Sequence, residues 1–367
     1  MAVELEPQVL TGRRATSWQD LVTALLGAWI TLGGFVDGFA HRNLDTPETF
    51  FTPWHGVLYS GYVATALWVV YLVRRHGRIP VGYSTAVAGV LVFAAGGIGD
   101  MFWHMIFGIE VSVDALLSPT HLMLLVGALL ILSGPIRSRA SDTSYHPGRL
   151  VDFWPPLIAF TCVAAELGFF FQYIDGFSIR FMQVLYVPGS EEGFFEVATG
   201  ISGILISTLI VMGTLLLMMR RWRLPFGTGL VMFGVVGLLM EMLEGFDFPE
   251  EVIAPLVGGL TIDLLLLVRP RLSIRLFAFM VPVVMWSVRF VVFEQFADIN
   301  WPVPVWTGII VFSGLAGVGL SLLAFPPSVL VTVGPSYTGQ PSQERSGRSD
   351  AASFDQHRES VDRHPGV

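Results

Sequence analysis

The chain of 367 residues contains no lysine and a single cysteine, and only 14% of its residues are charged. Without lysine it cannot form a Schiff base with retinal or pyridoxal phosphate, and it has no Walker A phosphate loop, because each of these needs a lysine amine. One cysteine, Cys162, excludes intrachain disulfides, cysteine-rich zinc sites and iron–sulfur clusters held by this chain alone. Soluble domains carry roughly 25% charged residues, so this composition indicates a membrane protein.

Long apolar runs occupy most of the chain, which is 53% hydrophobic and has a mean hydropathy of +0.64. Runs of about twenty residues match the length of helix that crosses a hydrocarbon core of roughly 30 Å. We therefore predict an all-α, polytopic integral membrane bundle of about ten transmembrane helices in five hairpins, with the eighth span the shortest. The predicted spans are 18–40, 54–75, 83–107, 115–135, 152–174, 196–219, 227–246, 252–268, 273–295 and 304–325.

Arginine-rich loops alternate with acidic loops along the chain. Arginine-rich loops stay in the cytoplasm of a cell membrane, so both termini are predicted to be cytoplasmic. Arg42 and Arg180 are the two exposed exceptions on the outer side. The arginines that set this orientation are Arg13, Arg14, Arg74, Arg75, Arg78, Arg137, Arg139, Arg149, Arg220, Arg221, Arg223, Arg269, Arg271 and Arg275.

The chain divides into four segments by composition and pattern. Residues 1–17 form a cytoplasmic N-terminal segment, and residues 18–140 form two duplicated hairpins, spans 1 to 4. Residues 141–330 form degenerate hairpins, spans 5 to 10. Residues 331–367 are rich in Ser, Gly, Asp and Arg and have hardly any apolar content, so we predict a disordered cytoplasmic tail.

Two stretches of spans 1 to 4 share one motif. The sequences GGFVDGFAH at 33–41 and GGIGDMFWH at 96–104 both read G-G-x-x-D-x-F-x-H. The sequences TPWHGVL at 52–58 and SPTHLML at 118–124 both read [ST]-P-x-H-x-x-[LM]. Hydrophobic composition alone does not produce identity at so many polar and glycine positions, so the pattern predicts an internal duplication.

Helix geometry brings the polar residues of each copy together. Asp37 and His41 are four residues apart and share one helix face. The Thr-Pro pair starts the return helix and places His55 in its first turn, where the helix dipole disfavours imidazolium and keeps the neutral form that binds metals. The second copy repeats this spacing. The candidate metal ligands are Asp37, His41, His55, Asp100, His104 and His121.

The four motif histidines are the only histidines within the predicted spans and outer loops. An Asp-His-His triad suits copper, zinc or non-haem iron, and copper is the metal we expect. The six groups form either two separate sites or one shared dinuclear centre. The plain structural alternative is that they anchor the interface or hydrogen-bond between packed helices.

Other ionisable residues within the predicted spans supply further candidates, because such groups are costly in a membrane. Glu166 and Asp263 are predicted to pair with a buried partner such as Arg289. The residues proposed to support the ligands or to form an ion path are Tyr59, Glu166, Glu241, Glu244 and Asp263.

The order of Asp, His four residues on, and a further His on the next helix resembles the metal site in the C subunit of copper membrane monooxygenases, the methane- and ammonia-oxidising enzymes. Asp37, His41 and His55 match that site in order and nearly in spacing. The second triad matches with a longer loop. The resemblance covers only these short stretches, and it implies copper held within the membrane region of an oxidoreductase.

The sequence therefore predicts an integral membrane metalloprotein with an outward-facing Asp/His site, copper-binding and acting as a metal-dependent membrane oxidoreductase. Three alternatives stay open: a metal-ion or proton-coupled transporter, a b-type haem protein that uses two of the histidines, and a non-catalytic membrane assembly factor. The expected partners are the lipid bilayer and membrane or extracytoplasmic proteins. Nucleic acid is not expected, because the net charge of −8 comes from acidic loops.

Overall fold

The computed structural model describes residues 13–44, 50–108, 113–268 and 272–327. These residues form helices joined by turns, and no strand occurs among them. The predicted tail at 331–367, and positions 1–12 of the predicted N-terminal segment, lie outside the described residues. The helices are α1 (Ser17–Asn43), α2 (Pro53–His76), α3 (Ser84–Phe107), α4 (Val113–Leu117), α5 (Pro119–Ala140), α6 (Leu150–Phe170), α7 (Phe194–Arg221), α8 (Thr228–Leu243), α9 (Ile253–Val268), α10 (Ile274–Phe296) and α11 (Val303–Ala324).

Nine helical segments of the described chain are long and apolar enough to cross a membrane, so this is a multi-pass membrane protein. The predicted all-helical membrane bundle is confirmed at this level. The helix of the eighth span, α9, is 16 residues long, and the seventh span forms a helix of the same length, α8. Left-handed backbone at Gly227 and Gly245 bounds that helix. A 3₁₀ turn that starts at Pro249 extends the eighth segment to 20 residues.

The sixth helix is the most enclosed element of the bundle. Helix α6 packs against α1, α5, α7 and α8. In its apolar stretch of 18 residues, 67% is buried within the bundle. Helix α2 lies at the periphery and packs mainly against α1. Only 22% of its apolar stretch of 18 residues is buried. Helix α3 packs chiefly against α5. The helices that carry the two motifs therefore form two pairs, α1 with α2 and α3 with α5. In the first pair, α2 is largely exposed.

A buried polar cluster joins α1, the start of α3 and α5 at the arginine-rich end of the bundle. Asp20 of α1 forms an ion pair with Arg139 of α5 and accepts hydrogen bonds from Tyr83 at 2.8 Å and Ser138 at 3.0 Å. Asp20 is fully buried and Arg139 is 6% exposed. Because buried charges need partners, this cluster fixes how α1 sits against α5.

The loops at this end carry a second, more exposed contact. Arg14 donates to the carboxylate of Asp142 at 3.1 Å. Hydrogen bonds from Ser144 lower the pKa of Asp142, and the charge of Arg14 lowers it further. The segment that precedes α1 is thus tied to the loop that follows α5.

The two arginines predicted to be exposed on the acidic side are instead ion-paired. Arg42 donates to Glu244 at 2.5 Å. Arg180, with a side chain only 12% exposed, donates to Glu250 at 2.5 Å. The expectation of exposure is therefore wrong for Arg180, because the acids of the following loops fold over it.

Arg289 has a different partner from the one predicted. Its guanidinium is fully buried and pairs with Glu251, which the 3₁₀ turn before α9 carries into the bundle. Asp263 accepts hydrogen bonds from the backbone N–H groups of Gly229 and Leu230 at 2.9 and 3.0 Å, at the start of α8. The predicted pairing of Asp263 or Glu166 with Arg289 is wrong, because a loop acid reaches the arginine first.

Asp20→Asn should destabilise the bundle strongly, since it leaves the buried Arg139 cation uncompensated. We expect a loss of about 3–5 kcal/mol in the free energy of unfolding, measured by denaturant titration in detergent. Adding Arg139→Met should recover much of that loss, because replacing both charges removes the penalty.

Asp152→Asn is the matched control, because Asp152 pairs with Arg149 at 3.0 Å in a contact whose side chains are 41% and 76% exposed. It should leave the unfolding transition in place. Equal transitions for Asp20→Asn and Asp152→Asn would show that the buried pair does not hold the helices together.

Candidate metal centre

The two motifs end one helix and begin the next at the same end of the bundle. Asp37 and His41 lie in the last turns of α1, and α2 then starts at Pro53 with Thr52 as its N-cap. In the second copy, α5 starts at Pro119 with Ser118 as its N-cap. The predicted helix starts are therefore observed, and each places a histidine in the first turn.

The six predicted ligands come together as two triads. In the first, the Oδ2 atom of Asp37 lies 3.6 Å from Nε2 of His41 and 3.6 Å from Nε2 of His55. In the second, the Oδ1 atom of Asp100 is equally central. It lies 3.5 Å from Nε2 of His104 and 3.4 Å from Nε2 of His121. Within each triad the ligand atoms all lie within 4.8 Å of one another, so each can hold a metal ion.

These separations are compatible with ligation of one shared ion. An N–H···O hydrogen bond spans about 2.7–3.2 Å between heavy atoms. Two ligand atoms about 2.1 Å from one ion at a tetrahedral angle are roughly 3.4 Å apart. The four measured N···O separations are 3.4–3.6 Å. One carboxylate oxygen and two imidazole nitrogens per triad are thus spaced as ligands of one ion.

The capping hydroxyl of each return helix also holds an imidazole. The Oγ1 atom of Thr52 accepts the backbone N–H of His55 at 3.2 Å and lies 2.8 Å from Nδ1 of the same residue. Ser118 repeats both contacts with His121, at 3.3 and 2.6 Å. An imidazole that donates Nδ1–H to this oxygen keeps its lone pair on Nε2, the atom turned toward the aspartate.

The four imidazoles form a continuous row. Ring centroids are 5.8 Å apart between His41 and His55, 6.4 Å between His55 and His104, and 5.7 Å between His104 and His121. The two inner side chains, His55 and His104, are each 5% exposed, and the outer two are 26% and 23% exposed. The triads are therefore neighbours whose closest histidines are the most buried.

One cavity contains both triads. It has a volume of about 440 Å³, and all six ligand residues line it. Apolar side chains such as Phe93 and Leu124 form part of its wall, and Arg42, Gln172 and Tyr173 line it as well. This volume lies within the range of roughly 300–1,000 Å³ that is typical of small-molecule pockets.

The first glycine of each motif permits the close helix approach that forms a triad. A Cβ atom at Gly33 would lie 2.6 Å from Cα of Leu58 in α2. A Cβ atom at Gly96 would lie 3.0 Å from the backbone nitrogen of Leu124 in α5. Any larger residue would push the return helix away and separate the aspartate from the histidine of that helix.

The five supporting candidates separate into two groups. Tyr59 and Glu166 line the cavity, with the Tyr59 ring stacked on His55 at 6.2 Å and Glu166 beside Thr31, deeper along α1 than Asp37. The other three do not line it. They are Glu241, whose carboxylate accepts the Phe248 N–H at 2.9 Å; Glu244, which pairs with Arg42; and Asp263 of α9, which accepts the Gly229 N–H at the start of α8.

Phe50 is a site residue that sequence reasoning missed. Its ring stacks on His55 at 5.2 Å and lies 6.3 Å from the ring of His104, so it covers both inner histidines. The only available signal was its position two residues before the Thr-Pro start of α2. Gln172 and Tyr173 carry no motif that marks them as cavity residues.

No protein-family model, curated protein or solved structure matches this chain. The chemistry of the site therefore has to be argued from its own residues.

Thr52→Val should weaken metal binding at the first triad by about 10–100-fold, since it removes the oxygen that orients His55. Metal titration with a competing chelator would measure the affinity. Thr52→Ser keeps the oxygen and should bind as the wild type does.

Ser273→Ala supplies the control for simple loss of a helix cap. Ser273 caps α10 by accepting the Leu276 N–H at 3.1 Å, away from both triads. If Thr52→Val and Ser273→Ala left metal affinity equally unchanged, the hydroxyl would be a helix cap and nothing more.

Proposed function

We propose that this chain is a metalloprotein of the cell membrane that binds two transition-metal ions, copper by preference, on its outer side and acts as an oxidoreductase. The observation that carries the proposal is the pair of Asp-His-His triads that line one cavity, each with three ligand atoms within 4.8 Å. Two identical ligand sets with identical capping hydroxyls are far more specific than a single buried histidine pair.

The ligand set favours copper. Two imidazole nitrogens and one carboxylate oxygen form an N/O site, and such sites bind Cu²⁺ more tightly than the other divalent first-row metals. Zinc and non-haem iron accept the same ligands and are the next candidates. The resemblance of the motif to the copper site of membrane monooxygenases points the same way. Bound copper would supply one-electron redox chemistry at each triad.

The residues around the triads suit such a role. Thr52 and Ser118 orient one imidazole in each triad. Phe50 and Phe93 keep water from the inner histidines. The row of rings at 5.7–6.4 Å gives short through-space steps between the triads. Two separate sites are favoured over a bridged centre, since each triad converges on its own point.

Two of the alternatives fit the site less well. Both histidines of a triad direct Nε2 toward the same carboxylate, at 3.4–3.6 Å, so they do not present these atoms to the two faces of a haem. A transporter needs ionisable groups that continue inward from the triads. Glu166 lines the cavity and supplies one step, but Asp263 is held by the backbone of α8, and Asp20, the buried acid further inward along α1, is held by Arg139.

Purified protein loaded with copper should bind about two equivalents, and His121→Ala should reduce this to about one by removing a ligand from one triad. Asp37→Asn keeps the shape of the side chain and removes its charge, and it should lower the affinity of the first triad about 10–100-fold. Elemental analysis gives the stoichiometry, and electron paramagnetic resonance of Cu²⁺ reports nitrogen ligation.

His146→Ala is the control, because His146 is an exposed loop residue that contacts Ser144. It should bind metal as the wild type does. Complete loss of metal from either single-triad variant would indicate one shared centre. Copper-replete wild-type protein without bound metal would refute the proposal.

The proposed orientation has both termini in the cytoplasm and both triads facing outward. Reporter fusions after residues 45, 112 and 190 should be active outside, and fusions after residues 76, 142 and 222 inside, because arginine-rich loops are retained in the cytoplasm. If two of these fusions reported the opposite side of the membrane, the proposed orientation would be wrong.

A further inference from the structure

A second cavity lies against the metal centre on its peripheral side. It has a volume of about 710 Å³, and residues of α2, α3 and the segment before α2 line it. Val63 and Ile98 on its rim are 52% and 60% exposed, on helices that are long and apolar enough to cross the membrane. Helices α2 and α3 make few contacts with each other, so the cavity opens between them toward the hydrocarbon of the bilayer.

Three side chains form a shared wall between the two cavities. His55, Tyr59 and Phe93 line both the cavity that contains the triads and the apolar cavity. His55 presents Nε2 to Asp37 in the first triad, and its ring also lines the apolar cavity. A molecule in the apolar cavity could therefore contact the ring of one triad histidine. The apolar cavity is therefore part of the surroundings of the metal centre.

The wall carries one polar group without a hydrogen bond. The hydroxyl of Tyr59 is buried and has no hydrogen-bond partner among the described residues. Gly97 makes room for it, since a Cβ atom there would lie 2.7 Å from Cε1 and 3.2 Å from the hydroxyl oxygen of Tyr59. A buried donor without a partner is costly, and an oxygen atom of a bound ligand would satisfy it.

We propose that the apolar cavity binds a lipid-soluble molecule that enters from the bilayer and accepts a hydrogen bond from Tyr59. This inference rests on the proposed function for the role of that molecule, which is to serve as the substrate or the electron donor of the metal centre. The existence of the binding site does not depend on the metal.

The cavity defines the chemical class of its occupant. The lining between Val63, Phe93 and Ile98 is almost wholly apolar, so the body of the ligand is a hydrocarbon chain or ring. The Tyr59 hydroxyl, which has no hydrogen-bond partner among the described residues, requires an acceptor such as a carbonyl or ether oxygen on that body. A charged or strongly hydrated molecule is excluded, because it would lose its hydrogen bonds to water and gain too few from the cavity to replace them.

Photolabelling of the protein in lipid nanodiscs tests this site. The probe is a twelve-carbon methyl ketone that carries an aliphatic diazirine, and the matched probe is the same diazirine hydrocarbon without the carbonyl. We expect the ketone to label peptides that contain Val63, Ile98 or Met101, as mapped by mass spectrometry. Tyr59→Phe should reduce ketone labelling on the order of two- to ten-fold, the value of one hydrogen bond, and leave hydrocarbon labelling unchanged.

Two variants fill the cavity, and a third variant serves as their control. Val63→Trp and Ala94→Phe each add bulk to the lining and should reduce labelling by both probes to the level of surface lipid contacts. Leu67→Trp introduces a tryptophan one helical turn along α2, at a 66% exposed position outside the cavity, and should label as the wild type does. Retained metal content would show that the variants are folded.

The result that would overturn the proposal is uniform labelling along the exposed faces of α2 and α3, or labelling unaffected by both filling variants. The test is separable from that of the metal centre, because His121 does not line the apolar cavity. His121→Ala should lose metal and keep its labelling. Copper-replete wild-type protein that contains no metal but still labels in a Tyr59-dependent way would refute the metal proposal and support the lipid-soluble ligand site.

Discussion

The hydroxyl group at the start of each return helix is the contact on which the geometry of the two Asp-His-His triads depends. The first backbone N–H groups of a helix have no partner within that helix, and in a membrane they cannot rely on water. Thr52 and Ser118 satisfy one such group and at the same time hold Nδ1 of the histidine three residues later. The start of the helix and the direction of the ligand are thus fixed by the same atom.

That contact explains which parts of the site were predictable. The spacing of Asp37 and His41 within one helix, and the Thr-Pro start before His55, are local features that follow from sequence. Both triads therefore assemble from residues named in advance. The neighbouring placement of His55 and His104 depends on how the α1–α2 pair packs beside α3 and α5, and no local pattern encodes it. Phe50 was missed for the same reason.

The buried charges were predicted least well, because their partners come from distant loops. Glu251 has the sequence context of an exposed loop acid, but a 3₁₀ turn carries it into the bundle beside Arg289. Asp20 lies in the first turn of α1 and finds Arg139 at the end of α5. In both cases the cost of an unpaired charge in low dielectric selects the pairing, and only the folded arrangement shows which partner is within reach.

The two cavities differ in chemistry because the helices around them differ in burial. The cavity with the triads faces the enclosed α6, which contributes Glu166 and aromatic side chains, so polar ligands and ions can be surrounded on all sides. The other cavity faces outward past the peripheral α2, where only apolar side chains are stable against lipid. Tyr59 lies in the wall between them and has one apolar ring and one polar hydroxyl. A residue of that kind is suited to hold an apolar molecule by its single oxygen atom, within one imidazole ring of the first triad.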